Sequence, residues 1–322
     1  MGQTRVKMKV FGGEGLWGSI IIDKIVECGL EVGGVGAVDV EEAERVLSGL
    51  FSDCAETYDC CDGAVFEPLA EVLLRRAEVE EGSRVLDLGT GTGIAAFKAL
   101  ERVGPGGYVL GVDVAEGLLA VAEEKARRSG VENVEFRVMS MGSLDLPDGS
   151  FDRVIGNFSL CCTCFYERAV GEAFRVLKPG GRLTYNHWGP GESPVVIVLN
   201  AVFSKFKVGE PSEKLRRVRE ASGLLESMWS RFKDPFAALG ALEAAGFRER
   251  EALISYAQRA FRDVEALLDH WFTGGLGELE LSEMQPGRRD ELRRSLVESL
   301  KPFLSEEGLV VRWEILHLSG RK

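Results

Sequence analysis

RVLDLGTGTGIAAF, residues Arg84 to Phe97, decides the fold. A mostly apolar run ends at Asp87-Leu88, three glycines then alternate with threonines, and an apolar, helix-like stretch follows. A strand inside a parallel sheet needs apolar side chains on both faces, and apart from Arg84 and its acid this run has them. Gly89, Gly91 and Gly93 permit a tight turn with close backbone approach to a ligand, and the helix N-terminus beyond offers unpaired N–H groups to an anion. Such turns join strand to helix in many α/β proteins, so the meaning of this one depends on its surroundings.

The same alternation repeats outward. YVLGVDV precedes EGLLAVAEEKARRSG, VEFRV and FDRVIGNF follow, and ERAVGEAFRVL leads into GRLTYNH. Short, continuous apolar runs between helical stretches predict a doubly wound α/β domain from Ser83 to about His187. Residues 1–40 are glycine-rich, with a strand-like VKMKVF and an apolar LWGSIIIDKIVECG, and form an extension of unassigned role. Asp39 followed by Glu42 predicts an N-cap with a capping-box carboxylate, opening a helical stretch to Ala77. The core with its leading helices is expected over 41–188. Residues 189–246 read as a helical lid insertion, placed to cover the crevice beyond the strand ends. Residues 247–322 supply FREREALISYA and LVVRWEILHLSG as strands, with helices around DVEALLDHWF and RRDELRRSLVESLKPFL between them.

The 322 residues are 45% hydrophobic and 28% charged, the balance of a globular protein. A formal charge of −12 argues against a nucleic-acid surface, which needs a concentrated basic stripe. The one basic run, Lys214 to Arg219, is flanked by Glu210, Glu213 and Glu220 and reads as a solvated helix face. No stretch approaches the ~20 apolar residues of a membrane span. MGQTRVKMKV lacks the apolar core of a secretory signal, and seven unevenly placed cysteines do not resemble a secreted disulfide scaffold. These features predict a soluble, cytoplasmic protein, with the extension leaving a homo-oligomer open.

Asp87 stands two residues before the first glycine, and Asp113 ends the next strand, placed to accept bonds from two ribose hydroxyls. A dinucleotide fingerprint counted from Gly89 and Gly91 would need glycine at position 94, which is Ile94. FSDCAETYD, VLDLGTGTG, GVDVAEGLL, NVEFRVMSMGSLDLPDGSFDRVIGNFSL and AFRVLKPGGRL follow one another along the chain, and their order and spacing carry a resemblance. Over these blocks, from about Phe51 to His187, the sequence resembles the class I S-adenosylmethionine-dependent methyltransferases, in particular the ubiquinone/menaquinone biosynthesis branch. The resemblance implies a Rossmann-like, mostly parallel seven-stranded sheet, S-adenosylmethionine as cofactor and methyl transfer as the reaction. It also implies that Gly89, Thr90, Gly91 and Gly93 line the amino-acid and ribose portion, that Asp87 bonds the methionine ammonium, and that Asp113 with Val114 holds the ribose. Ser140 and Met141 would flank adenine, and Asn157 would border the cofactor. Tyr58 would close over it, its ring able to face the sulfonium. Relatives usually carry an aspartate for the adenine amino group in a Gly-Asp-Ala stretch. Here Met139-Ser140-Met141 stands in that place, and Ser140 brings no charge.

Methyl transfer from a sulfonium is an in-line displacement, so the protein mainly supplies alignment, and a base is needed only where the acceptor loses a proton. His187, at the end of GRLTYNH, is the candidate catalytic base, with Tyr58 and Tyr185 as alternatives. His270 could face the pocket from its helix, and His317 reads as structural. Phe158, Phe165, Trp188, Phe203 and Phe206 predict an apolar, ring-bearing acceptor methylated at carbon or oxygen, with a quinone as the first expectation by family analogy.

Cys161, Cys162 and Cys164 in NFSLCCTCF, and Cys54, Cys60 and Cys61 before the sheet, could meet across one pocket. The spacings CC and CCxC do not make zinc knuckles, so no metal is assigned. A trivalent-arsenic site, as in the related arsenite methyltransferases, would need three converging thiols, and that branch has cysteine where this chain has Phe158. The third reading is a polarisable pocket wall, or one oxidised pair. A non-catalytic binding or scaffold protein that kept the fold also stays open.

Overall fold

A computed structural model describes residues 39–322, and within it the side chains of residues 60–64 fall outside the description. VKMKVF, LWGSIIIDKIVECG and the thiols of Cys60 and Cys61 therefore lie outside the described residues. The Asp39 carboxylate accepts from the Glu42 backbone N–H at 2.7 Å and starts α1 (Val40–Asp53), as an N-cap should. Glu42 does not complete the expected capping box, because its carboxylate pairs with Arg45 and Arg217. After a break at Cys54 comes α2 (Ala55–Arg76), which contains Pro68.

β1 (Arg84–Leu88), β2 (Tyr108–Asp113), β3 (Val134–Val138), β4 (Phe151–Asn157) and β5 (Leu177–Trp188) pair in parallel. The crossovers carry α3 (Ile94–Val103), α4 (Glu116–Ser129) and α5 (Tyr166–Val176). Then come α6 (Pro194–Phe203), α7 (Glu213–Trp229), α8 (Pro235–Ala244), β6 (Arg248–Phe261), α9 (Val264–Trp271), α10 (Gly275–Glu283), α11 (Pro286–Leu300), β7 (Leu304–Ser305) and β8 (Gly308–Arg321). β8 runs antiparallel between β5 and β6, giving the order β3-β2-β1-β4-β5-β8-β6. The expected seven-stranded, mostly parallel sheet is present, with the two-residue β7 added beside β8. Strand order reverses between β1 and β4, so the ligand crevice of a doubly wound sheet opens above their C-terminal ends.

Strand periodicity sorts the core. Val85, Val109 and Ile155 pack against Ala70, Leu73 and Leu74 of α2 and Ala96 and Ala99 of α3. Their neighbours Leu86, Leu110 and Val154 face the other way, onto Val170 and Ala173 of α5 and Leu239 and Leu242 of α8. Each fully buried aliphatic side chain contributes roughly 1.5–3 kcal/mol, so both layers are anchored through the strands that end at the crevice. The insertion expected over 189–246 divides into three parts. α8 is a crossover helix packed on the sheet, α7 lies against α1, and α6 joins α9 and α11 in a separate cluster with Leu309 and Val311 of β8. No helix among the described residues is long and apolar enough to cross a membrane.

Candidate active site

The glycine turn after β1 is built for close approach. Gly89 and Gly91 have φ of +61° and +56°, a region that disfavours other residues, and a Cβ at Gly89 would stand 2.4 Å from Ser159 Cβ. The Gly91 N–H donates to Asp113 Oδ2 at 2.8 Å and the Ala115 N–H to Oδ1 at 2.9 Å. Asp113 thus holds the turns after β1 and β2 together, and each oxygen keeps a lone pair for a ligand. Burial raises its pKa, opposed by these backbone bonds. Behind the turn, the Thr90 hydroxyl donates to Asp87 Oδ2 at 2.8 Å. Asp87 Oδ1 is buried without a hydrogen-bond partner, and desolvation is the main cause pushing this carboxyl up to about 7. Asp59 and Lys125 clamp the turn to α2: Thr92 Oγ1 donates to Asp59 Oδ1, and Lys125 bridges Asp59 Oδ2 and the Thr92 carbonyl.

Above the turn lies a cavity of about 80 Å³. Of the residues expected to bind cofactor, Tyr58, Gly89, Gly91, Asp113, Val114, Met141 and Asn157 line it, whereas Asp87, Thr90, Gly93 and Ser140 stand behind its wall. Sequence reasoning missed the contribution of α1. Glu44, Leu47, Ser48 and Phe51, spaced i, i+3, i+4, i+7, present one helix face to the cavity, and that spacing was the legible signal. The Ser48 hydroxyl donates to the Val114 carbonyl at 2.6 Å, and Ser52 accepts from the Gly117 N–H at 3.2 Å, tying α1 over the β2–α4 turn.

A second, larger cavity of about 350 Å³ shares Phe51 and Tyr58 with the first. Its walls are Phe66, Trp188, Trp271 and Trp313, with His270, Cys54 and Gly274 to Gly277 at the start of α10. Phe158 helps separate the two spaces: it lines the first and stacks on Phe66 at 5.1 Å, with Trp188 at 4.6 Å. Its φ of +59° is unusual for a residue with a side chain, a strain of about 1–3 kcal/mol that the aromatic packing and the Phe158 N–H bond to the Asn186 carbonyl at 3.2 Å hold in place. Among the other expected crevice aromatics, Phe165, Phe203 and Phe206 line neither cavity, and Phe203 packs on Phe272 instead.

A family model described as a methyltransferase domain matches residues 79–219. Demethylmenaquinone methyltransferase from Thermus thermophilus is 34% identical over 216 residues, which cover 64% of this chain and 95% of that protein. The chain belongs to the class I S-adenosylmethionine-dependent methyltransferases. Nocamycin O-methyltransferase from Saccharothrix syringae is 27% identical over 281 residues, 84% of this methyltransferase and 97% of that protein. Arsenite methyltransferase from Halobacterium salinarum is 35% identical over 158 residues, 49% of this chain and 40% of that protein.

The donor set fits the cofactor. The buried, unpartnered Asp87 oxygen suits an ammonium, Asp113 can accept from hydroxyls, and Met139 and Met141 offer polarisable faces to a flat base. The volume holds only part of it, since small-molecule sites run from ~300 Å³ upward.

The structure does not bring His187 to either cavity. Tyr185 and His187 share one face of β5, turned to Tyr166 and the Trp229–Phe232 segment, while Asn186 and Trp188 face α2. The His187 ring is buried, its Nδ1 bonds the Trp188 carbonyl at 2.8 Å, and desolvation lowers its pKa to about 4. Tyr185 is equally sealed, with its hydroxyl against that of Tyr166 at 2.5 Å. His270 does line the larger cavity, where its Nδ1 accepts from Arg259 at 3.4 Å. His317 is structural, with Nδ1 bonded to Asn186 Oδ1 at 2.7 Å and Nε2 to Ser255 Oγ at 2.7 Å. The described thiols fall in three places. Cys161 and Cys162 both donate to the Phe158 carbonyl, Cys164 is buried against α1 and α7, and Cys54 lines the larger cavity. Burial pushes the Cys164 thiol up to about 11, and Cys161 is also raised, by its Cys162 neighbour and burial, so neither favours a thiolate.

Proposed function

We propose that this methyltransferase acts on a small, apolar, ring-bearing molecule of quinone type, at carbon or oxygen, held in the aromatic chamber. The observation that carries the reading is the shared wall: a space of about 350 Å³ lined by Phe66, Trp188, Trp271 and Trp313 adjoins the cofactor cavity through Phe51 and Tyr58. Aromatic rings offer flat partners to a flat substrate, with few polar groups to desolvate. The names of the demethylmenaquinone and nocamycin relatives support an organic acceptor.

When bound, S-adenosylmethionine supplies an electrophilic methyl group on a sulfonium. Gly89, Gly91, Asp113 and Met141 hold the cofactor in the smaller cavity, with Asp87 behind them bonding the ammonium. Tyr58 and Phe158 stand between the two cavities, where their ring faces can attract a cation and exclude water. His270 orients the acceptor. Arg259 donates to its Nδ1, so the neutral ring carries its proton on Nε2, and burial and Arg259 keep the ring neutral. It can therefore donate a bond to an acceptor oxygen but is not set up to take a proton. The arsenite reading draws on Cys61, whose side chain lies outside the described residues, together with Cys54 and Cys162.

The test uses cofactor labelled in its methyl group, incubated with the protein and a panel of demethylated naphthoquinones and benzoquinones. Label extracted into the organic phase, and reduced at least ~tenfold by Trp188→Ala, supports the reading. Label that appears only when arsenite is added overturns it.

A further inference from the structure

Ser140 leaves the adenine end of the site without the acid that relatives usually place there, and the structure supplies a carboxylate from elsewhere. The Ser140 hydroxyl donates to Glu44 Oε1 at 2.8 Å and accepts from the Gly142 N–H at 3.3 Å. With its lone pair engaged by that N–H, the hydroxyl proton is directed at Glu44, fixing one carboxylate oxygen. Glu44 lies on the cavity-lining face of α1, half-buried, beside Leu47 and across from Met139 and Met141. Among the described residues no lysine, arginine or histidine stands within ion-pair distance of it; Arg168 acts only at longer range, against Glu41 and Asp113. A half-buried carboxylate with one oxygen pinned and no ion pair keeps acceptor capacity for a ligand N–H, and a carboxylate can only accept.

We propose that Glu44 reads the exocyclic amino group of the cofactor's adenine, taking the part of the missing aspartate from a different element, with Ser140 as its positioning residue. The inference rests on the cofactor assignment and is independent of the acceptor. Its chemical consequence is selectivity. An amino group at this point meets an acceptor, whereas the oxo group of hypoxanthine would set acceptor against acceptor in a partly desolvated site. Sites built to bond one polar group reject the analogue that lacks it far more strongly than apolar pockets do.

The experiment is calorimetric titration of the full chain with S-adenosylhomocysteine and S-inosylhomocysteine, in which the 6-amino group becomes an oxo group and N1 gains a proton, so the Glu44 variants carry the assignment. The unaltered protein is expected to prefer the adenosyl ligand by ~30-fold or more. Glu44→Ala should bind it about tenfold more weakly and prefer it by less than ~threefold. Glu44→Gln, which keeps the shape and can turn either amide atom to the base, should likewise bind both ligands within about threefold of each other. The double variant Glu44→Ala, Ser140→Asp returns a carboxylate at the position relatives use, and should regain the preference. Ser140→Ala alone should lose part of it without a change in melting temperature. Retained selectivity in Glu44→Ala overturns the proposal, as does an equal loss of affinity for both ligands in the Gln variant. An unaltered protein that binds neither ligand overturns the cofactor assignment and this inference with it.

Discussion

Asp87 shows how burial of one carboxyl makes stability depend on pH. Its carboxyl titrates near about 7 in the folded chain, against roughly 3.9 when unfolded. The folded state therefore holds the proton more tightly. This group's contribution to stability is fully present below about pH 4 and is lost as pH rises through 7, a total on the order of 4 kcal/mol. Melting curves of the cofactor-free protein should fall more steeply between about pH 4 and 7 than those of Asp87→Asn, which has nothing to titrate; parallel curves would contradict the assignment. The same variant should bind S-adenosylhomocysteine ~tenfold or more weakly, because an amide cannot match a carboxylate as partner for an ammonium. His187 makes the opposite case. A general base contributes typically 10²–10⁴-fold, yet this ring is sealed from both cavities. His187→Gln is expected to retain methyl transfer within about threefold while melting earlier. A loss above 100-fold at unchanged cofactor affinity would restore the residue as base.

At the level of elements, α2 is held to the sheet by side chains at the strand ends. Asn157 Nδ2 donates to the Phe66 carbonyl and Asn186 Nδ2 to that of Leu69, both at 3.2 Å. Asn186 also donates to Asn157 Oδ1 at 2.9 Å and accepts from His317 Nδ1. Because Asn186 Oδ1 must be the acceptor, His317 carries its proton on Nδ1, and Ser255 donates to Nε2. The chain of bonds runs from β6 through β8 and β5 to β4, ending at Asn157, which lines the smaller cavity. Asn186→Leu strands several buried partners at once, each costing ~1–3 kcal/mol. Chemical denaturation should show a loss of about 2–5 kcal/mol, and an effect under ~1 kcal/mol would mean that the network relaxes onto water. The alternation that sends Asn186 and Trp188 to α2 also sends Tyr185 and His187 away from the crevice. Position at a strand end was legible; which parity of residues faces the ligand was not, since it depends on what packs on each side.

Across the whole molecule, the proposed function divides the work between two cavities. Trp313 comes from β8 and lines the larger one only. Trp313→Ala is therefore expected to raise the acceptor KM by ~tenfold while leaving the calorimetric affinity for S-adenosylhomocysteine unchanged; parallel losses in both would merge the two spaces into one site. What the sequence by itself determined is the contiguous part: the strand–turn–helix at Arg84–Phe97, the acids Asp87 and Asp113, the N-cap at Asp39 and the parallel core. Backbone conformation, capping and apolar periodicity are set by neighbours within a few residues, so they can be read in order along the chain. Tertiary structure alone decided that Glu44 meets Ser140 across 96 positions, that α1 forms a cavity wall, and that tryptophans from β5, α9 and β8 close one chamber. These contacts arise when separate elements bury their apolar faces against one sheet, and local spacing carries no record of which faces will meet.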